Sequence, residues 1–191
     1  MKLLLATNNL NKVKEFNQLL PDCNFSPLPI NVPETGRTFR ANAILKAKTW
    51  GHVFHQLVLA DDSGLCIDYL HGEPGINSHR FASRGFSAAR HQILGLLKNI
   101  PWFQRTAHFV CCLALYDPIN NKLKTFTAQV KGYISFKEVG NNGFGYDSIF
   151  YYPPLKKTFA QMSLTEKNCF SHRARAVAKL QQHLKELALI R

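Results

Sequence analysis

The chain has 191 residues, 46% of them hydrophobic, which suits one domain, or one domain of two lobes, with a sizeable core. No apolar run reaches the length of a membrane span, and the 5 cysteines have no zinc-ligand spacing, so we expect free thiols in a reducing, cytoplasmic compartment. A net charge of +12 calls for a polyanionic partner, but the basic residues are scattered, with no tail or run of the kind that grips duplex DNA.

The chain opens with Lys2 to Ala6, a short buried strand rather than a signal peptide, because its apolar part stops at Thr7-Asn8-Asn9. Val13, Phe16, Leu19 and Leu20 recur at helical spacing, which predicts a helix over Lys12 to Leu20 ended by Pro21. Pro27, Pro29 and Pro33 mark irregular chain, and Phe39 to Trp50 reads as a second helix. Leu57 to Ala60 and Leu65 to Leu70 read as two extended pieces flanking an acidic turn, Asp61-Asp62-Ser63-Gly64. Gly72-Glu73-Pro74-Gly75 is a turn, and Ser87 is a cap for a helix through Ile100. Two β-rich stretches follow, Thr106 to Tyr116 and Lys124 to Phe136, joined through Asp117-Pro118-Ile119-Asn120-Asn121. A glycine-dense loop spans Gly140 to Tyr146, and a closing helix from about Ser171 carries the stripe Val177, Leu180, Leu184 and Leu187.

Several segments carry chemistry. Thr7-Asn8-Asn9-Leu10-Asn11-Lys12 leads from a strand into a helix, where exposed N–H groups and a lysine attract phosphate. The same segment also reads as a plain helix-capping loop. The Asp61-Asp62 pair interrupts an apolar run, and desolvated carboxylates need a cation or many donors. Successive side chains in a strand face opposite ways, so the two aspartates do different jobs. Asp62 is the candidate for metal and attacking water, and Ser63 and Gly64 let backbone approach a phosphate; a hairpin turn is the competing reading. Glu34 is a second carboxylate for magnesium, which takes one or two protein carboxylates plus substrate phosphates. Gly143-Phe144-Gly145-Tyr146-Asp147 offers a ring to stack on a base and an acid to accept from it, or else a tight turn with Phe144 in the core. Ser171 is a natural helix cap, after which His172 and Arg173 place basic groups in a first turn where the dipole disfavours them.

In this order and spacing, these motifs resemble those of the inosine/xanthosine triphosphate pyrophosphatase family, the Ham1-like nucleoside triphosphate pyrophosphatases. The resemblance runs from Thr7 to Arg173. It also includes Glu34-Thr35-Gly36, Asn42-Ala43 with Lys46-Ala47, Pro74-Gly75-Ile76 and Glu166-Lys167-Asn168. It implies an elongated, two-lobed α/β fold, with a long, curved mixed sheet flanked by helices and a central cleft, in an ITPase-like domain over residues 1–191. It implies a magnesium-dependent hydrolase, usually a homodimer, that cleaves ITP, dITP or XTP to the monophosphate and pyrophosphate. Asp62 is then the metal-holding general base, assisted by Glu34. Lys12, Lys46 and Lys167 neutralise the polyphosphate, with Thr7 to Asn11 and Ser63 around it. Phe144, Gly145 and Tyr146 hold the base, and Asp147, His172 and Arg173 read its edge. The chain departs from the family pattern at Ala41, where Glu is usual, at Asn77-Ser78-His79-Arg80, where Tyr-Ser-Ala-Arg is usual, and at Ser148, where Pro is usual. Ala41 motivates an alternative, a degenerate nucleotide sensor. The basic balance motivates another, a nucleic-acid-binding module, which the unscreened carboxylate pair opposes.

Overall fold

The computed structural model describes residues 3–23, 25, 28, 32–188 and 190, so Lys2, Pro27 and Pro29 fall outside the description. The fold is mixed α/β. Six strands form one sheet in the order β1 (Leu4–Ala6), β2 (Val58–Ile67), β3 (Thr106–Asp117), β4 (Lys122–Ile134), β5 (Phe150–Tyr152) and β6 (Lys157–Thr158). The sheet is mixed: β1 pairs with β2 in parallel, and β5 pairs antiparallel with both β4 and β6. The helices are α1 (Leu10–Leu19), α2 (Phe39–Phe54), the single turn α3 (Ser78–Phe81), α4 (Phe86–Leu96), α5 (Leu164–Phe170) and α6 (His172–Glu186).

The chain divides into two compact units. One comprises residues 1–62, 111–128 and 172–191, the other residues 63–110 and 129–171. In the first unit, strand alternation sends neighbouring side chains to opposite faces. Leu59, Cys111 and Leu113 join Val13 and Phe16 of α1 and Val177, Leu180 and Leu184 of α6 in one apolar cluster. Val58, Ala60, Cys112 and Ala114 join Ala43, Ala47 and Trp50 of α2 in another. The two adjacent cysteines therefore serve different cores. Each large apolar side chain so buried stabilises the fold by roughly 1.5–3 kcal/mol.

In the second unit Leu65, Ile67, Phe109, Val130, Ile134 and Phe150 pack under Ala89, Ile93 and Leu97, with Phe109 and Phe159 stacked at 5.9 Å. The buried Arg105 guanidinium pairs with no carboxylate among the described residues. It donates instead to the carbonyls of Leu97, Ile134 and Ser135 at 2.5–2.7 Å, joining the end of α4 to the end of β4.

The acidic segment is not a turn. β2 runs unbroken through Asp61-Asp62-Ser63-Gly64, between β1 and β3. Charged partners on each face make this possible, since a buried carboxylate without one would break the strand out to solvent. Helix limits also differ from the sequence reading. Asn9 caps α1 two residues earlier, α4 starts after Gly85 rather than at a Ser87 cap, and Leu187 lies beyond α6, half exposed. α5, capped by the Ser163 side chain accepting from Glu166 N–H, has no counterpart among the predicted elements.

Candidate active site

β2 alternation separates the two aspartates. Asp61 shares the face of Leu59, where α1 and α6 pack, and Asp62 shares the face of Ala60, where α2 packs. Asp61 is fully buried and receives Lys12 Nζ from α1, Arg173 Nε from α6 at 3.1 Å and the Cys111 thiol at 3.2 Å. Arg173 also pairs with the buried Glu15 of α1. Burial would raise the Asp61 carboxyl, but the adjacent Arg173 and Lys12 charges outweigh it and hold the group well below the usual carboxylate range. Burial would likewise strip the Arg173 proton, yet Asp61 and Glu15 raise its affinity for it.

Asp62 meets a different set. Lys46 of α2 donates to its Oδ1 at 3.0 Å and Asn42 to its Oδ2 at 3.2 Å. Lys46 also pairs with Glu34 at 2.5 Å and reaches the Asp61 carbonyl at 3.2 Å. For Asp62, burial dominates over Lys46 and Lys12, and with Glu34 nearby its carboxyl is raised. Asn42 further accepts from Gly36 N–H at 2.8 Å, and a Cβ at Gly36 would lie 2.6 Å from that oxygen. Glycine is therefore what lets the Glu34 loop close onto α2. Asn42 lies in the Asn42-Ala43 motif, which by itself assigns it no role; the signal for one is its place one helical turn before Lys46.

Asp62, Glu34 and the Asp61 carbonyl are oxygen ligands already converging on one positive charge, the Lys46 ammonium. Among the described residues no group of three or more His, Cys, Asp and Glu is arranged so that it could hold a metal ion. Two carboxylates suit magnesium, which completes its shell with water and substrate phosphate, so the donor set fits that ion. Ala41 adds no carboxylate; its N–H goes to the α2 cap Thr38 at 3.0 Å.

At the start of α1, Asn9 accepts from the N–H groups of Asn11 and Lys12, and Thr7 Oγ1 accepts from Asn9 N–H. Asn8, Leu10 and Asn11 are exposed, and Ser63 is half-buried on β2.

The remaining expected residues, His172 apart, lie in the second unit. Gly143, with φ +72°, allows Phe144 N–H to reach Asp147 Oδ2 at 2.8 Å, and any Cβ there would meet that oxygen at 2.2 Å. Lys167 of α5 donates to the same oxygen at 2.6 Å and lies 4.7 Å from the centre of the half-buried Phe144 ring. Lys167 thus stands beside the aromatic loop within the second unit. Tyr146 is buried and donates to the Ser78 carbonyl at 2.7 Å. Ser78 Oγ in turn accepts from Leu65 N–H at 3.0 Å, just after the Asp-Asp-Ser-Gly stretch. His172 opens α6, buried.

The Ham1 family model matches residues 3–183 of the chain. The dITP/XTP pyrophosphatase of Desulforamulus reducens is 41% identical, with 98% of this chain and 97% of that protein covered. The enzyme of the same name from Leuconostoc mesenteroides is 42% identical, with 96% of each covered. The Staphylococcus aureus Ham1 protein superposes with a TM-score of 0.86 at 38% identity, covering 97% of this chain and 99% of that one. A HAM1 protein from Coxiella burnetii gives 0.87 at 35% identity, with the same coverage.

Proposed function

From the premise that this chain belongs to the Ham1 family, we propose how its residues divide the work of a dITP/XTP pyrophosphatase. The enzyme hydrolyses noncanonical purine nucleoside triphosphates to the nucleoside monophosphate and pyrophosphate. Residues 1–191 act as one catalytic domain of two lobes.

The observation that carries the reading is the contrast between the aspartates: Asp61 locked between Lys12 and Arg173, Asp62 facing Lys46, Glu34 and Asn42. A carboxylate of raised proton affinity is the better general base. Asp62 takes a proton from the water that attacks the α-phosphorus. The bond to the bridging oxygen breaks, and pyrophosphate leaves. Lys12 and Lys46, with the Thr7 to Asn11 loop and Ser63, bind the polyphosphate and offset the charge growing on the leaving group. Asp62 and Glu34 are the residues that would hold magnesium, which when bound supplies Lewis-acid stabilisation of the phosphoryl oxygens.

Phe144, flanked by Gly145 and Tyr146, stacks on the base. Asp147, fixed by Lys167, accepts from its N–H edge. His172 and Arg173 donate to the 6-oxo group, which hypoxanthine and xanthine have and adenine lacks. Donors that adenine would leave unpaired discriminate strongly against it. Glu15 and Asp61 fix the guanidinium plane of Arg173 for this role. The protein acts in the cytoplasm, where thiols stay reduced; its five cysteines are free, and no helix among the described residues is long and apolar enough to cross a membrane. It works as a homodimer, which light scattering in solution checks.

Pyrophosphate release from a panel of ITP, dITP, XTP, ATP and GTP with magnesium tests the reading. Asp62→Asn is expected to lose at least about 100-fold in kcat, the usual size of a general-base contribution, while nucleotide binding is kept. Normal turnover by that variant removes Asp62 as the base.

A further inference from the structure

Behind the Phe144 loop lies a side-chain network that the proposed chemistry does not use. Arg90 of α4 donates through Nη1 to the Gly145 carbonyl at 2.8 Å and through Nε to Glu138 Oε2 at 2.7 Å. Ser148 Oγ donates to that same Glu138 oxygen at 2.9 Å. His91, on the same helix, approaches the other Glu138 oxygen at 3.7 Å. The Arg90 and Glu138 side chains are only 19% and 28% exposed, so water competes weakly for these bonds.

The loop needs such support. Gly143 and Gly145 both have positive φ, +72° and +66°, and they bracket Phe144. Two glycines around an aromatic leave its ring direction weakly determined by the backbone alone. The Phe144 N–H is tied to Asp147, and Tyr146 is tied to Ser78. Between those ties, the Gly145–Tyr146 peptide lies one residue beyond Phe144, and Arg90 holds its carbonyl.

We propose that Arg90, aligned by Glu138 and Ser148, is a positioning residue that sets the Phe144 ring against the base and so determines base affinity and selectivity. The proposal rests on the reading of Phe144 as the base-stacking residue. Arg90 touches no substrate in this scheme; it acts through the Gly145 carbonyl. Without it, the loop samples several orientations, and only a fraction of molecules present the ring correctly.

Kinetics of Arg90→Met and Phe144→Ala test this, with dITP and ATP as substrates and inorganic pyrophosphate as a competitive inhibitor that carries no base. Losing one charge-assisted hydrogen bond is expected to raise KM for dITP about tenfold in Arg90→Met. The dITP/ATP preference falls with it, and the inhibition constant of pyrophosphate stays within about twofold of the parent. Arg90→Lys, which keeps a donor, recovers part of the loss. Unchanged KM and preference in Arg90→Met, alongside a raised KM in Phe144→Ala, overturn the positioning role and leave the stacking role standing. An unchanged KM in Phe144→Ala removes the stacking reading, and the positioning role with it. Equal weakening of dITP and pyrophosphate in Arg90→Met marks a merely structural residue and also overturns the proposal. If Arg90→Met does not fold, Glu138→Met decides by the same three constants, because it frees Arg90 and Ser148 together.

Discussion

Two adjacent carboxylates with the same chemistry differ here because one peptide step turns a side chain to the other face of a strand. Asp61 is held by Lys12 and Arg173, and the arginine by Glu15, in a buried set from three elements. Removing one member leaves uncompensated buried charge. Asp61→Asn and Arg173→Ala are therefore each expected to cost about 3–5 kcal/mol in denaturant unfolding. Base preference is better tested in Arg173→Lys, which keeps a cation there. The pH dependence has a definite sign. The folded-state proton affinity of Asp61 is lowered, so its contribution is fully present above the ordinary value of 3.8 and is lost as pH falls below it. Asp61→Asn removes that contribution, and its stability should fall less steeply below about pH 4 than the parent's. An acid limb of unchanged slope in the variant contradicts the buried-cation account.

At the level of elements, three parts of the site depend on a helix cap or on a glycine. Asn9 caps α1 and so aims Lys12, Gly36 lets the Glu34 loop meet Asn42 of α2, and Gly143 lets Phe144 turn back to Asp147. Gly143→Ala combines a positive φ with a Cβ placed 2.2 Å from the Asp147 carboxylate. It is expected to cost about 1–3 kcal/mol in thermal unfolding and to raise KM for dITP. An unaffected KM separates this loop from base binding. Periodicity made α1, α4 and α6 legible, because each carries an apolar stripe at helical spacing, and α2 was legible from its Ala- and Lys-rich composition. α5 was not legible: Leu164–Phe170 is seven residues long and lacks a repeated apolar stripe. The acidic segment misled for a related reason. Asp-Ser-Gly is turn chemistry in local terms, and only partners far along the chain let it stay extended inside a sheet.

For the whole molecule, net charge matters more than any one contact. A balance of +12 surrounds a substrate that carries several negative charges even with a metal bound. The field raises the local concentration of such a substrate and is screened by salt. kcat/KM for dITP should fall several-fold between about 0.05 and 0.3 M salt, with kcat changing little. A flat salt profile restricts the attraction to the bound lysines alone.

The sequence by itself carried the family motifs, the catalytic candidates and the strand-loop-helix opening, because these depend on residue identity and near neighbours. Tertiary structure alone decided which partners each aspartate meets, on top of a separation that strand alternation had already proposed. That pairing follows from Arg173 and Glu15, 158 positions apart, meeting beside one face of β2 while Asn42 and Lys46 meet the other. It likewise decided that Lys167 stands beside Phe144, and that Arg90 holds the loop around it. Pairings at such separations are fixed by packing of elements, and no local pattern in the chain records them.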